Sequence, residues 1–255
     1  MRILILAAGY GTRLNPLTLK VAKPLIGING IPVINFLMDK VSGISERFPV
    51  EELRIVANNK FYESFIAWQK EYNIDANIIN DGSNSPEDAL GAVKDISLAI
   101  NGECSDWLIL GGDNLFEDDL IEFIEFAQRK KPYFSIGLCD LKDMREASRF
   151  GIVNLNSQKE IINFQEKPKN PLSTLAACCV YFFPKESSDL IQVFISQNKN
   201  VDASGKYIEW LVKEKKVFGH TLRGKWIDIG DFKALRLAEK EVKENNFSYS
   251  NNRTN

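Results

Sequence analysis

The chain opens MRILILAAGYGTRLNPLTLKVAKPL, Met1 to Leu25, and this stretch decides the fold. Met1 to Ala8 is a short, nearly unbroken apolar run, the pattern of a strand covered on both faces in a parallel sheet. Gly9 and Gly11 follow it directly and allow a tight turn and close approach to a ligand. Successive N–H groups in such a turn can converge on one anion. Arg13 adds a planar fork matched to phosphate oxygens, and Lys23 adds a compact point charge. Two better-known phosphate loops do not match. In G-x-G-x-x-G the third glycine would fall at Leu14, with Pro16 where a crossover helix should already run, which argues against an oxidoreductase. No G-x-x-x-x-G-K-S/T string occurs. A plain strand and turn carrying a surface Arg and Lys stays open on these residues alone.

Outward from the loop, strand-like and helix-like segments alternate, which argues for βαβ units. The spacing predicts helices over 31–44, 60–72, 118–129 and 231–244, and strands over 53–57, 76–79, 107–110 and 134–139. Ser85, Pro86 and Asp88 read as the start of a helix running to about Ile100. Ile152–Leu155 and Ile161–Phe164 read as a hairpin and Leu175–Phe183 as a long strand. Pro184 is expected to open the next helix, Gly205 to interrupt the chain before a helix ending near Lys215, and Val217–Leu222 to form a strand. In open parallel sheets ligands sit at the carboxyl ends of strands, so Asp113, after the strand ending in Gly111 and Gly112, is placed where chemistry would occur.

Four further motifs follow the first loop in order: GGDN at Gly111–Asn114, FGIV at Phe150–Val153, FQEKP at Phe164–Pro168 and WIDIGD at Trp226–Asp231. Together with GYGTRLNPLT and KPL they resemble the sugar-1-phosphate nucleotidyltransferases, a family that includes glucose-1-phosphate thymidylyltransferases and uridylyltransferases. Ala22 stands where the family commonly has proline, which should loosen the approach to Lys23 without removing its charge. The resemblance implies a Rossmann-like α/β fold with a mixed, mostly parallel sheet flanked by helices. It also implies condensation of a nucleoside triphosphate with a sugar 1-phosphate or related phosphate, giving an activated sugar and pyrophosphate.

Residue by residue, the resemblance gives Arg13 to the β- and γ-phosphates and Lys23 to the α-phosphate. Asp113 and Asp228 become ligands of Mg²⁺, Lys167 takes the phosphate of the incoming sugar, and Glu166 accepts from sugar hydroxyls. Leu6, Ala8, Gly9, Gly11 and Thr12 line the nucleotide, and Asn80, Gly82 and Gly91, from the segment Ile79–Val93, lie toward the base. Gly151 lies near the sugar. A catalytically silent relative that binds a nucleotide-sugar is the alternative; the presence of Arg13, Lys23, Asp113, Lys167 and Asp228 together favours an enzyme.

Composition bounds the rest. With 255 residues, 32 basic and 34 acidic side chains and a net charge of −2, the chain has no basic footprint for nucleic acid. A single domain over 1–245 is expected, its nucleotide-binding half about 1–130 and its sugar-phosphate half about 131–245, followed by a flexible polar tail over 246–255. No apolar run reaches the roughly 18 residues of a membrane span, and the first strand begins without a basic leader, so no membrane and a cytoplasmic location are expected. No hexapeptide-repeat extension follows, so no second acyltransferase activity is expected. Cys104, Cys139, Cys178 and Cys179 lack metal spacing and read as buried thiols, the last two facing opposite sides of a strand. His220 reads as packed or exposed rather than catalytic. Assembly is left open, homo-oligomers being common in the family.

Overall fold

A computed structural model of the chain describes residues 1–187, 189–198, 201–247 and 249. At its centre β1 (Arg2–Leu6) pairs in parallel with β4 (Glu52–Ala57) on one side and β6 (Trp107–Gly111) on the other, and β5 (Asn77–Asn80) extends the β4 edge. Short strands β2 (Gly27–Ile28) and β3 (Ile31–Pro32) form a separate hairpin before α1 (Val33–Arg47). The crossovers are completed by α2 (Tyr62–Tyr72) and α3 (Ala92–Ile100). Beyond β6 come the short β7 (Asn114–Phe116), α4 (Ile121–Lys130), β8 (Phe134–Asp140) and a one-turn helix α5 (Met144–Ala147).

The hairpin β9 (Gly151–Leu155) and β10 (Ile161–Glu166) is antiparallel, as expected, and so is β11 (Leu175–Phe183) where it meets β6, β8 and β9. The chain finishes with α6 (Leu190–Gln197), α7 (Ser204–Glu214), β12 (Val217–Thr221) parallel to β8, β13 (Trp226–Asp228) and α8 (Phe232–Lys243). Among the described residues the main sheet thus has nine strands, mixed but parallel through β5, β4, β1 and β6, and β7 with β13 forms a separate two-stranded ladder.

Both faces of β1 are covered, which is why its sequence is apolar from Ile3 to Leu6. Ile3 and Ile5 enter one core with residues of α1, α2 and α4, while Leu4 enters the opposite core with residues of α3, α6 and α7. Each such side chain, fully removed from water, contributes about 1.5–3 kcal/mol. No helix among the described residues is long and apolar enough to cross a membrane.

Several boundaries depart from the sequence reading. Asp88 does not start a helix; its carboxylate accepts the N–H groups of Asn84 and Ser85 and closes a turn. The helix begins only at Ala92, because Gly91 takes φ +84° and seats against the Asp202 backbone, where a Cβ would come within 2.6 Å of Cα. Pro184 leads into a 3₁₀ turn over Lys185–Ser187 rather than the helix itself, and Gly205 lies inside the first turn of α7. Within the stretch expected as a polar tail, Phe247 is buried and the Tyr249 ring lies 5.9 Å from that of Phe36. Residues 250–255 lie outside those described.

The thiols also differ. Cys139 and Cys178 are buried, but Cys104 is exposed. Cys179 takes φ +56° where the β8–β11 register slips between Ala177 and Tyr181. The two neighbouring thiols still part to opposite faces as expected, Cys178 into the core that holds Ile3 and Ile5 and Cys179 against the core that holds Leu4. His220 packs its ring 5.1 Å from that of Phe126.

Candidate active site

The first loop is wrapped around its lysine. Gly11 takes φ +60°, and a Cβ there would lie 3.0 Å from the Thr18 methyl and 3.3 Å from Lys23 Cβ. Thr18 locks the turn by donating to the Gly11 carbonyl at 2.9 Å. Lys23, buried at the start of a 3₁₀ turn, donates in a short contact to Asp113 Oδ2 and lies 3.6 Å from Asp228 Oδ1. Burial pushes the ammonium pKa down, but the Asp113 and Asp228 carboxylates outweigh it and hold the pKa above its ordinary value. Ala22, although not proline, is buried and does not release the lysine.

The two aspartates are brought together by the small ladder. In the β7–β13 pairing Asp228 stands opposite Asn114, and Ile229 N–H donates to the Asp113 carbonyl at 3.0 Å. Burial, and then the neighbouring Asp113 charge, raise the Asp228 pKa, the expected signature of two carboxylates sharing one site. Asn114 orients the first of them: its amide donates to Asp113 Oδ1 at 2.8 Å and accepts from Trp226 Nε1 at 2.7 Å. Two carboxylates, with no group of three or more His, Cys, Asp or Glu gathered as a metal site among the described residues, suit a cation completed by water and phosphate oxygens rather than an all-protein cage.

These groups border a cleft of about 290 Å³. Arg13 enters it flat against Gly230, where a Cβ would come 2.9 Å from Nη2. The far wall is built from Gly151, Glu166, Lys167 and the start of α7. Glu166 is tucked so tightly under that helix that a Cβ on Gly205 would lie 1.8 Å from its Oε2, and one on Gly151 would lie 3.1 Å away. Burial raises the Glu166 pKa, and Lys167 Nζ, 3.7 Å from Oε1, offsets part of the cost. Tyr181 closes the floor, its hydroxyl 3.1 Å from that of Ser204.

Of the residues expected from sequence, the cleft collects Arg13, Asp113, Gly151, Glu166, Lys167 and Asp228, with Lys23 bound to both aspartates. The others do not border it. The Leu6 carbonyl accepts from Gly112 N–H, and that of Ala8 from the Asn58 amide. Gly9 and Thr12 are exposed on the loop. Asn80 Oδ1 accepts from Gly82 N–H at 2.8 Å and its amide donates to Asn59, so both residues serve their own turn. Gly91 is seated against Asp202, although the next residue, Ala92, reaches the cleft.

Sequence reasoning passed over Arg149, Phe150, Trp226, Asn114 and the α7 start, all on the wall. The first four adjoin or belong to the motifs, so neighbourhood was a usable signal. Nothing in the residues of α7 marks its arrival at the site.

A model of the nucleotidyl transferase family matches residues 2–245. The bifunctional protein GlmU of Methanococcus aeolicus is 29% identical over 233 residues, 90% of this chain and 51% of that protein. The GlmU of Methanocaldococcus jannaschii is 30% identical over 230 residues, again 90% of this chain and 51% of the relative. The chain therefore spans about half the length of these curated relatives. A crystal structure of a Bacillus anthracis protein assigned as a glucose-1-phosphate thymidylyltransferase, solved with sucrose, has the same fold, with a TM-score of 0.81, 21% identity and 96% coverage of each chain.

Proposed function

The chain belongs to the nucleotidyl transferase family, and from that premise we propose that it condenses a nucleoside triphosphate with a sugar 1-phosphate to give a nucleoside-diphosphate sugar and pyrophosphate. The observation that carries the reading is the meeting of Lys23, Asp113 and Asp228 beside a cleft entered by Arg13 on one side and walled by Glu166 and Lys167 on the other. An oxygen of the acceptor phosphate attacks the α-phosphorus, a new P–O bond forms, and the bond to the β-phosphate oxygen breaks with its electron pair leaving on pyrophosphate. The nucleophile arrives ionised, so no protein base is needed, and the protein contributes alignment and charge neutralisation.

Arg13 holds the outer phosphates and stabilises the charge that departs with them. Lys23, kept protonated by its two carboxylate partners, presents a cation near the α-phosphate. Lys167 draws the acceptor phosphate inward, and the buried Glu166 carboxylate accepts from sugar hydroxyls. Asp113 and Asp228 would hold Mg²⁺, which when bound screens the repulsion between the two phosphate groups.

The purified protein, given Mg²⁺, a set of nucleoside triphosphates and a panel of sugar 1-phosphates, is expected to release pyrophosphate with at least one pair and to stop on addition of EDTA. Asp113→Ala is expected to lower the rate by about 10²–10³, as removal of a preorganised charge does. Pyrophosphate release that survives both EDTA and Asp113→Ala refutes the metal assignment; a silent wild-type protein refutes the condensation.

A further inference from the structure

Among the described residues that border the cleft, Arg149 is the cation to which the reading above gives no task. Its guanidinium is gripped from two sides: Nη1 donates to Glu146 Oε2 and Nη2 to Asp231 Oδ2, each at 2.7 Å. Both partners are themselves fixed. Glu146 also accepts from Lys233, and Asp231 caps α8 by accepting the Ala234 N–H at 2.9 Å. A guanidinium carries five N–H donors, and the two carboxylates take one each, so an edge stays open. The side chain is 32% exposed, which matches a group with one side against protein and the other on the cleft.

Arg149 and Arg13 lie against the adjacent residues Asp231 and Gly230 but differ in what each adjoins beyond them. Arg149 directly precedes Phe150, whose carbonyl accepts the Lys167 N–H at 3.1 Å, so Arg149 and Lys167 belong to one wall. Arg13 lies on the first-loop side, against Gly230. Lys167 is 62% exposed and, among the described residues, ion-paired with Glu166 alone, a loosely held point charge for a dianion. A planar fork already oriented by two carboxylates loses less freedom when it meets phosphate than a lysine does. We infer that Arg149 binds the phosphate of the acceptor beside Lys167, with Asp231 and Glu146 orienting it. This rests on the condensation reading.

Steady-state kinetics on Arg149→Gln, Arg149→Lys and Glu146→Gln test it. In Arg149→Gln the acceptor KM is expected to rise about tenfold or more while the triphosphate KM stays within about twofold; Arg149→Lys, with charge but no fork, falls between. Glu146→Gln loosens the bridge but keeps the guanidinium, and is expected to have a smaller effect on acceptor KM. An unchanged acceptor KM in Arg149→Gln overturns the inference, as does a Glu146→Gln variant that reproduces it. Should wild-type protein turn over none of the acceptors, the condensation reading fails on its own. Calorimetry with inorganic phosphate then decides for Arg149, since Arg149→Gln must weaken binding about tenfold for the inference to stand.

Discussion

Asp95 provides the sharpest test of the energetics. It lies in the first turns of α3, 6% exposed, with Oδ1 buried and unpartnered. Burial, and then the Asp81 charge, push its carboxyl up from 3.8 to about 7. The folded protein therefore binds a proton that the unfolded chain has released, across the interval from about pH 4 to pH 7. Stability falls as pH rises through that interval, and the loss is complete above pH 7. At about 1.4 kcal/mol per pH unit the interval corresponds to as much as about 4 kcal/mol. Asp95→Asn keeps the shape and removes the charge. Urea unfolding is expected to find the variant more stable than wild type by about 2–4 kcal/mol at pH 8, with the gap closing to within about 1 kcal/mol near pH 4.5. Groups that titrate alike in both proteins cancel in the difference. A gap that is the same at the two pH values, or a variant less stable at pH 8, refutes the reasoning.

Two further outcomes follow from the site geometry. Gly205→Ala places a methyl 1.8 Å from Glu166 Oε2, so the carboxylate must leave its position. The helix gains up to about 1 kcal/mol of propensity, yet kcat/KM for the acceptor is expected to fall about tenfold or more; an unaltered acceptor KM in kinetics would show that Glu166 does not face the sugar. Asn114→Ala strips a partner from both Asp113 and Trp226 Nε1. Turnover is expected to drop about 10- to 100-fold and stability by about 1–3 kcal/mol, read by pyrophosphate release and urea titration; full turnover would remove Asn114 from any orienting role.

The sequence was legible wherever a local pattern decided the outcome. The doubly covered β1, the β9–β10 hairpin and the full length of β11 follow from runs of apolar residues and the turns between them. Distant contacts settled the rest. Ser85–Asp88 satisfies every local requirement of a helix start, yet Asp202, remote in sequence, fixes the start at Ala92 through Gly91. Alternation assigns Cys178 and Cys179 to opposite faces, and they enter opposite cores, but nothing local foretold the positive φ of Cys179 where the β8–β11 register slips. Within the site, the charged residues of the motifs were readable as chemical types at strand ends. Their mutual geometry was not, because the contact of Lys23 with two aspartates depends on a ladder only three residues wide. Arg149 was signalled only by its place next to the FGIV motif, and the α7 start carries no mark in the sequence of what it borders.

That three-residue ladder has a consequence for how the protein tolerates change. Asp113 and Asp228 are spaced by the pairing of β7 with β13 and not by the twist of the nine-stranded sheet. Repacking of the sheet interior can therefore shift the carboxylates as one body while leaving the gap between them intact. The segment Trp226–Asp231 also carries the flat Gly230 beneath Arg13 and the cap that grips Arg149, so an insertion or deletion there would disturb both guanidiniums and one carboxylate in a single stroke.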